Sequence, residues 1–411
     1  MKKIQSILIT AYAVDPYKGS EDGTGWNICK QLARRNKVIV ITRKNNREAI
    51  EKYMKSYPDN IYSNMRFAYF DLPNWAMSWK KKIGERGYVL YFQLWQIVLP
   101  LYIWRHNFHF DIIHNLNFHS DSHTHFLWVF GKATVWGPIG HHPAVPEKFL
   151  KEYGKGALVK DRLYAVVKWM MKNLNPFYRL ALKKTDLIFV INSSINKHIK
   201  ADPKKVVVLP AVAADWPLVT KRDSKKFRIL SIGRFVPMKG FDIAIKSFVK
   251  FYNGLNANYK ELTELVLVGK GEQEGYFKEL VKLYKVEHCV RFVSWVDKEE
   301  VTELYSNSKI FLFPSHEGAG MVIPEAMSHG LPIVCFDNVG PGELANNAAL
   351  KIPYMNYSEV ITSFSKALTQ LFFDKSKYKE LSSNSLYNYY QNFTWERKGQ
   401  IIQRAYRNYL P

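Results

Sequence analysis

The chain has 411 residues, 47% of them hydrophobic, which is enough for two ordinary domains with their own cores and excludes a disordered or fibrous chain. Its 59 Lys+Arg against 36 Asp+Glu give a net charge of +23, so the expected partners are anionic: phosphorylated molecules, an anionic membrane surface or nucleic acid. The three cysteines, Cys29, Cys289 and Cys335, show neither metal-ligand spacing nor a disulfide pattern, which fits a reducing cytoplasm.

Along the chain, two βα series are expected. The opening MKKIQSILITAYAVDP reads as a buried first strand, Ile4–Thr10, rather than a secretory signal, because the apolar run is brief and lacks a small-residue cleavage site. A helix is predicted over Trp26–Arg35, then strands at Val38–Thr42, Asp111–His114, Thr134–Trp136 and Leu187–Ile191. Gly87 to Trp104 is the longest uncharged stretch. With Gln93, Gln96 and Pro100 inside it, a buried or interfacial helix is expected there, not a membrane span. The polar stretch Leu209 to Lys226 reads as a linker, after which strands are predicted at Phe227–Ile232, Leu265–Val268, Val290–Phe292, Ile310–Phe313 and Ile333–Phe336. Short strands alternating with helices imply parallel sheets. The expected fold is therefore α/β, two Rossmann-like domains facing each other across a cleft: 1–212 on the acceptor side, 213–390 on the donor side, and a C-terminal helix, 391–411, returning to the first.

Phosphate chemistry is suggested where strands end. In ILSIGRFVPMKGFDIAI, a strand stops at Gly233, Arg234 and Lys239 supply two cations, and Gly240 precedes a helix. A diphosphate needs close backbone approach, a bidentate guanidinium and a compact ammonium; taken alone, the fragment reads as a basic surface loop with a helix start. LVLVGKGEQE adds a strand ending at Gly269 and Gly271. In SHEGAGMVIPEAMSHGLP, Glu317 precedes a turn freed by Gly318 and Gly320, and a short helix over Met321–Ser328 carries Val322 and Glu325. The helix start is an expected anion site and the two carboxylates acceptors for sugar hydroxyls. A lone glutamate would read as a solvated charge; the conjunction at successive strand ends of one domain points to a ligand.

These segments, GRFVPMKG, LVLVGKGEQE, RFVSWVDKEEVTELYSNSKIFLFPS and EGAGMVIPEAMSHGLPIV, together resemble the donor domain of family-four retaining glycosyltransferases of the GT-B fold, the last carrying an E-x7-E motif. The resemblance covers residues 225–370. It extends more loosely to GSEDGTGW, DIIH and VWGPIGHHPAVP, which resemble a subgroup of uncharacterised bacterial members. It implies that Arg234 and Lys239 bind the donor diphosphate, Glu317 the transferred sugar, Glu325 the ribose, and the backbone at Trp295–Val296 the base. It also implies attack by the acceptor hydroxyl from the face that the diphosphate leaves, with a donor phosphate oxygen taking the proton. Ala319 stands where many relatives carry an aromatic residue, which implies a roomier sugar pocket.

In the first half, the Gly-rich stretch with Gly19, Glu21, Gly23 and Gly25 is an expected wall of the active site, with Glu21 either contacting ligand or capping the helix. Histidines cluster at His114, His119, His123 and His125 and again at His141 and His142. No nearby carboxylate completes a ligand set and there is no Asp-x-Asp, so no metal or other cofactor is expected. The resemblance implies an active-site histidine after Thr134–Trp136; His141 is favoured, with His142 as the alternative.

Aromatic and basic residues interleave over Trp75–His106 and Lys160–Lys184. Such segments either lie on an anionic bilayer or pack their aromatics inside. The function expected is a metal-independent, hexosyltransferase-like transfer of a sugar from a nucleotide-diphosphate sugar to a glycan or lipid-linked acceptor in bacterial surface polysaccharide synthesis. The expected location is cytoplasmic, peripheral on the inner face of the cell membrane if the bilayer reading holds. The alternatives are a nucleotide-sugar epimerase on the same fold and a non-catalytic basic module binding membrane or nucleic acid. No nucleic-acid recognition motif supports the last.

Overall fold

In a computed structural model, residues 5–83, 85–117, 120–141, 143–215, 226–294 and 297–410 are described. His119, His142, Trp295, Val296 and most of the expected linker lie outside them.

The chain separates into two compact units. The first comprises 1–141, 166–211 and 395–411; the second comprises 142–165 and 212–394. Residues 142–165 had been expected with the first domain. They cluster with the second because Val145, Phe149 and Leu150 belong to its hydrophobic core.

The first unit is built on a seven-stranded parallel sheet of β1 (Ser6–Ala11), β2 (Lys37–Thr42), β3 (Met65–Tyr69), β4 (Ile112–Asn117), β5 (Ala133–Ile139), β6 (Leu187–Val190) and β7 (Val206–Val208). Their order is β3-β2-β1-β4-β5-β6-β7. The helix Ser20–Ala33 starts six residues earlier than the sequence suggested, so Gly23 and Gly25 are helical rather than part of a loop. Gly23 is required: a Cβ there would lie 2.4 Å from the Lys18 carbonyl oxygen. The helix Glu85–Arg105 buries Tyr91, Trp95, Leu99 and Ile103 against the sheet and leaves Ile97, Leu101 and Trp104 exposed. It is thus a packed helix with one uncovered apolar stripe. The final helix, Trp395–Tyr409, packs on Ser20–Ala33.

The second unit has a six-stranded parallel sheet of β8 (Phe227–Ile232), β9 (Thr263–Val268), β10 (Val290–Val293), β11 (Ile310–Phe313), β12 (Ile333–Phe336) and β13 (Ala349–Ile352). Their order is β10-β9-β8-β11-β12-β13. Successive residues of β8 feed opposite cores, Ile229 one and Leu230 the other, which is why its sequence reads as a continuous apolar run. Strand order reverses between β8 and β11, which pair directly through Ile229–Ile310 and Leu230–Phe311. In open α/β sheets, ligands bind outside the carboxyl ends of strands at such a reversal.

Candidate donor site in the second unit

The carboxyl ends of β8 and β11 are where the sequence concentrates its cations, glycines and acids. Past β8, the chain turns at Gly233 and runs against the turn after β9. The Gly233 amide donates to the Val268 carbonyl at 3.0 Å, and the Phe235 amide to the Lys270 carbonyl at 2.8 Å. Gly269 has φ +150°, and a Cβ there would fall 1.9 Å from the Gly233 carbonyl oxygen. Only glycine permits this approach.

A second close approach brings the loop before the helix Phe241–Asn253 onto the end of β11. Gly240 sits at φ +66°, and a Cβ would lie 2.1 Å from the Pro314 carbonyl oxygen. The His316 amide donates to the Met238 carbonyl at 2.9 Å. This contact delivers Lys239 to Glu317. Its Nζ lies 2.6 Å from Glu317 Oε2, with the two side chains 12% and 9% exposed, and 5.1 Å from the centre of the Phe313 ring. The other carboxylate oxygen, Glu317 Oε1, is buried and has no hydrogen-bond partner among the described residues. Gly320 lies close by: a Cβ there would be 3.3 Å from that oxygen. Arg234 is exposed at the end of β8, and its side chain has no ion-pair partner among the described residues.

The helix after the turn is Val322–Ser328, with Met321 as its N-cap residue, so it is one residue shorter than expected. Seven residues carry little macrodipole, and the Ile323 amide already donates to the Gly320 carbonyl. The helix start is therefore a weaker anion site than the cations Arg234 and Lys239 beside it. Glu325 lies in the helix's first turn, and its Oε2 accepts from the Tyr305 hydroxyl at 2.9 Å.

Several supporting residues escaped the sequence reading. Tyr305, wholly buried, orients Glu325 and stacks on His329. Asn338 donates to the Ser315 carbonyl at 2.8 Å and accepts from the Gly342 amide at 3.1 Å. Gly340 lets the turn after β12 pass under the motif, where a Cβ would be 1.9 Å from the Glu317 carbonyl oxygen. Burial pushes the His316 imidazole down to about 3, so it is a neutral ring among Phe149, Phe336 and Tyr354. Residues 142–165 therefore pack directly behind the motif. They also supply Tyr153, whose hydroxyl donates to Asp242, a buried carboxylate that accepts from Tyr357 at 2.6 Å as well. Burial raises the Asp242 carboxyl above its ordinary value.

The remaining sequence candidates are in the first unit. Gly19 is exposed and is the N-cap of Ser20–Ala33, and Glu21 lies in that helix's first turn. His141 Nδ1 is 2.9 Å from Asp121 Oδ2. The same oxygen accepts from Lys172 Nζ at 2.6 Å. Burial alone would raise the Asp121 carboxyl; hydrogen bonds from His141 and Lys172 outweigh it and hold the group down at about 2. His141 also stacks on His198 at 3.6 Å between ring centres. Among the described residues, no three His, Cys, Asp or Glu side chains form a metal-binding group.

Residues 214–386, nearly the whole of the second unit's main segment, match the family model described as "Glycosyl transferases group 1". Among curated proteins, the chain is 38% identical over 115 residues to an uncharacterized glycosyltransferase of Haemophilus influenzae, covering 28% of this chain and 30% of that one. It is 28% identical over 141 residues to the amylovoran biosynthesis glycosyltransferase AmsD of Erwinia amylovora, covering 34% and 37%. These alignments span well under half the length of the curated relatives. Over the full chain, the structure is similar to Anabaena HepE in complex with UDP, with TM-score 0.63, 16% identity, and 98% and 99% of the two chains covered. That likeness shows the fold, GT-B.

Proposed function

We propose that this chain is a nucleotide-sugar-dependent, retaining glycosyltransferase that moves a sugar to a glycan or lipid-linked acceptor in surface polysaccharide synthesis. The observation that carries the reading is the pairing of Lys239 with Glu317 at the β8–β11 reversal, with Glu317 Oε1 buried and unsatisfied. An orphaned buried acceptor is costly, and a sugar hydroxyl is a donor of the right kind to satisfy it. Arg234 and Lys239 receive the charge developing on the leaving diphosphate, an electrostatic role of the kind that dominates many transfer reactions. Glu325, held by Tyr305, takes the ribose hydroxyls. The acceptor hydroxyl attacks from the face the diphosphate leaves, and a donor phosphate oxygen takes its proton, so neither a basic side chain nor a metal is called for. HepE binds UDP, and AmsD acts in amylovoran biosynthesis. The first supports a UDP-linked donor, the second a polysaccharide product. All three cysteines are buried and free, which fits the cytoplasm.

The test is the anomeric configuration of the product, read by NMR, from a purified-enzyme reaction run with and without chelator. Retention that survives chelation supports the reading. Inversion or abolition by chelator overturns those parts of it, and turnover of donor into an epimer without acceptor overturns transfer itself.

A further inference from the structure

Lys239 and Glu317 sit on two separate loops of the second unit, and one short stretch of the same unit, Phe149 to Tyr153, is tied to both. At one end, the buried Phe149 ring lies 4.8 Å from the ring of His316, the residue before Glu317. His316 is held in turn by Phe336 and Tyr354, which stack on it at 4.9 and 5.6 Å. At the other end, the stretch takes hold of the helix Phe241–Asn253, which begins two residues after Lys239. The Tyr153 hydroxyl donates to Asp242 Oδ1, and Lys246 Nζ lies 2.6 Å from Glu152 Oε2. Asp242 and Lys246 are four residues apart and share a face of that helix, so two neighbouring side chains grip its first two turns together. Tyr357 completes the grip. Its hydroxyl donates to Asp242 Oδ2 at 2.6 Å, and its ring centre is 4.6 Å from Lys246 Nζ.

Stability alone does not account for this arrangement. Asp242 is 1% exposed, and a well-packed apolar residue is often as good as a buried charged group or better. What a hydroxyl on each carboxylate oxygen adds is a fixed position, because the helix start cannot slide or turn without breaking one of the two bonds. Lys239 depends on that position. Its ammonium ends a flexible four-carbon stem, and only Gly240, at φ +66°, separates it from the helix. The Lys239 amide donates to the Val236 carbonyl, and the Met238 carbonyl accepts from the His316 amide. The turn that carries Lys239 is therefore fixed from the helix on one side and from His316 on the other, and residues 149–153 bear on both.

We propose that Phe149, Glu152 and Tyr153 are positioning residues for the transfer reaction: Glu152 and Tyr153 place the Lys239 ammonium through the start of the helix Phe241–Asn253, and Phe149 places Glu317 through His316. They act through those residues, not on the ligand. The proposal rests on the reading of Lys239 as the cation that meets the leaving diphosphate. Misplacing a group at the reacting centre by about 1 Å can cost about a hundredfold in rate. Loss of one anchor among several is expected to cost about tenfold.

The experiment is a double-mutant cycle on turnover. Nucleotide release from UDP-, GDP- and ADP-sugars is measured for the full chain, Tyr153→Phe, Lys239→Ala and the double variant, well below the unfolding midpoint of each. Glu152→Gln is a second probe, at a side chain 32% exposed, where the change leaves the fold intact. The expected result is that Tyr153→Phe lowers kcat about tenfold with KM nearly unchanged, and costs less than about twofold when Lys239 is already alanine, because the group it positions is gone. Glu152→Gln should show the same pattern with a smaller fall. Undiminished kcat in both Tyr153→Phe and Glu152→Gln would overturn the proposal. So would equal losses with and without Lys239, which would make residues 149–153 a structural support alone. Full turnover in Lys239→Ala, or no turnover of any of these donors by the parent, would overturn the underlying reading and the proposal with it.

Discussion

Replacing Lys239 by alanine separates the two things that the Lys239–Glu317 pair does. The pair spans 2.6 Å with both side chains nearly buried, so the substitution strands the Glu317 carboxylate beside an apolar ring. Removing one member of a buried pair costs about 3–5 kcal/mol. This pair retains some exposure, so a figure below that range, about 2–3 kcal/mol, is the better one. For a domain of this size, that corresponds to a fall of roughly 4–12 °C in unfolding midpoint. Turnover should fall by about a hundredfold or more, because the ammonium that meets the diphosphate is gone. Adding Glu317→Gln removes the stranded charge. The double variant should recover most of the lost stability and none of the lost turnover. Thermal unfolding and nucleotide release, measured on both single variants and the double, complete the cycle. Wild-type turnover in Lys239→Ala would refute the assignment of Lys239 to the diphosphate. A double variant no more stable than Lys239→Ala would refute the claim that the two charges are coupled.

Gly269→Ala forces a Cβ to within 1.9 Å of the Gly233 carbonyl; the strand ends must part, and both stability and nucleotide binding should fall together, by 2 kcal/mol or more in denaturant unfolding on the scale of such backbone strain. An unperturbed alanine variant would show that the approach is looser than described. Tyr153→Phe leaves buried Asp242 one donor short and should cost about 1–3 kcal/mol; no loss would mean that residues 142–165 are not clamped through this bond. Stability should also decline on mild acidification. Burial pushes His114, His125 and His316 down to about 4, 3 and 3. Each is neutral in the folded chain and takes up a proton more readily when unfolded. Their contribution is therefore complete above about pH 6.5 and is lost as pH falls toward those values, at about 1.4 kcal/mol per pH unit for each histidine. His316→Phe should remove one share of that slope in the second unit, and a flat profile between pH 6.5 and 4.5 would contradict the burial argument.

The parts of this molecule that could be read from the sequence are those where local pattern and tertiary role coincide. β8, β11 and β12 are apolar runs bounded by turns, and their predicted limits match the observed ones residue for residue. β3, β7 and β13 were missed: MRFAY and ALKI mix apolar with charged residues, and VVV is only three residues long. Each is a partly exposed outer strand, so the periodicity that signals burial is weak. At the site, Gly233, Lys239, Gly269, Glu317 and Gly320 announced themselves because their chemistry is local to strand ends. Tyr305, Asn338 and Gly340 did not, since each acts on the motif from a different element. The Asp121–Lys172 contact joins residues 51 positions apart. It gave no sequence signal. The helix after β1 was placed too late because Gly23, a poor helix former, serves close packing at the Lys18 carbonyl.

The most direct test of the central claim, that the second unit binds a nucleoside diphosphate at the ends of β8 and β11, is a thermal-shift titration. It would use the full chain with UDP, GDP, ADP and their common sugar conjugates, with Arg234→Ala measured in parallel. A ligand at about a hundred times its dissociation constant adds roughly 2.7 kcal/mol of stability. The account predicts such a shift for one nucleotide and its conjugates, lost in Arg234→Ala. No shift with any of them at millimolar concentration, or an equal shift in the variant, would contradict it.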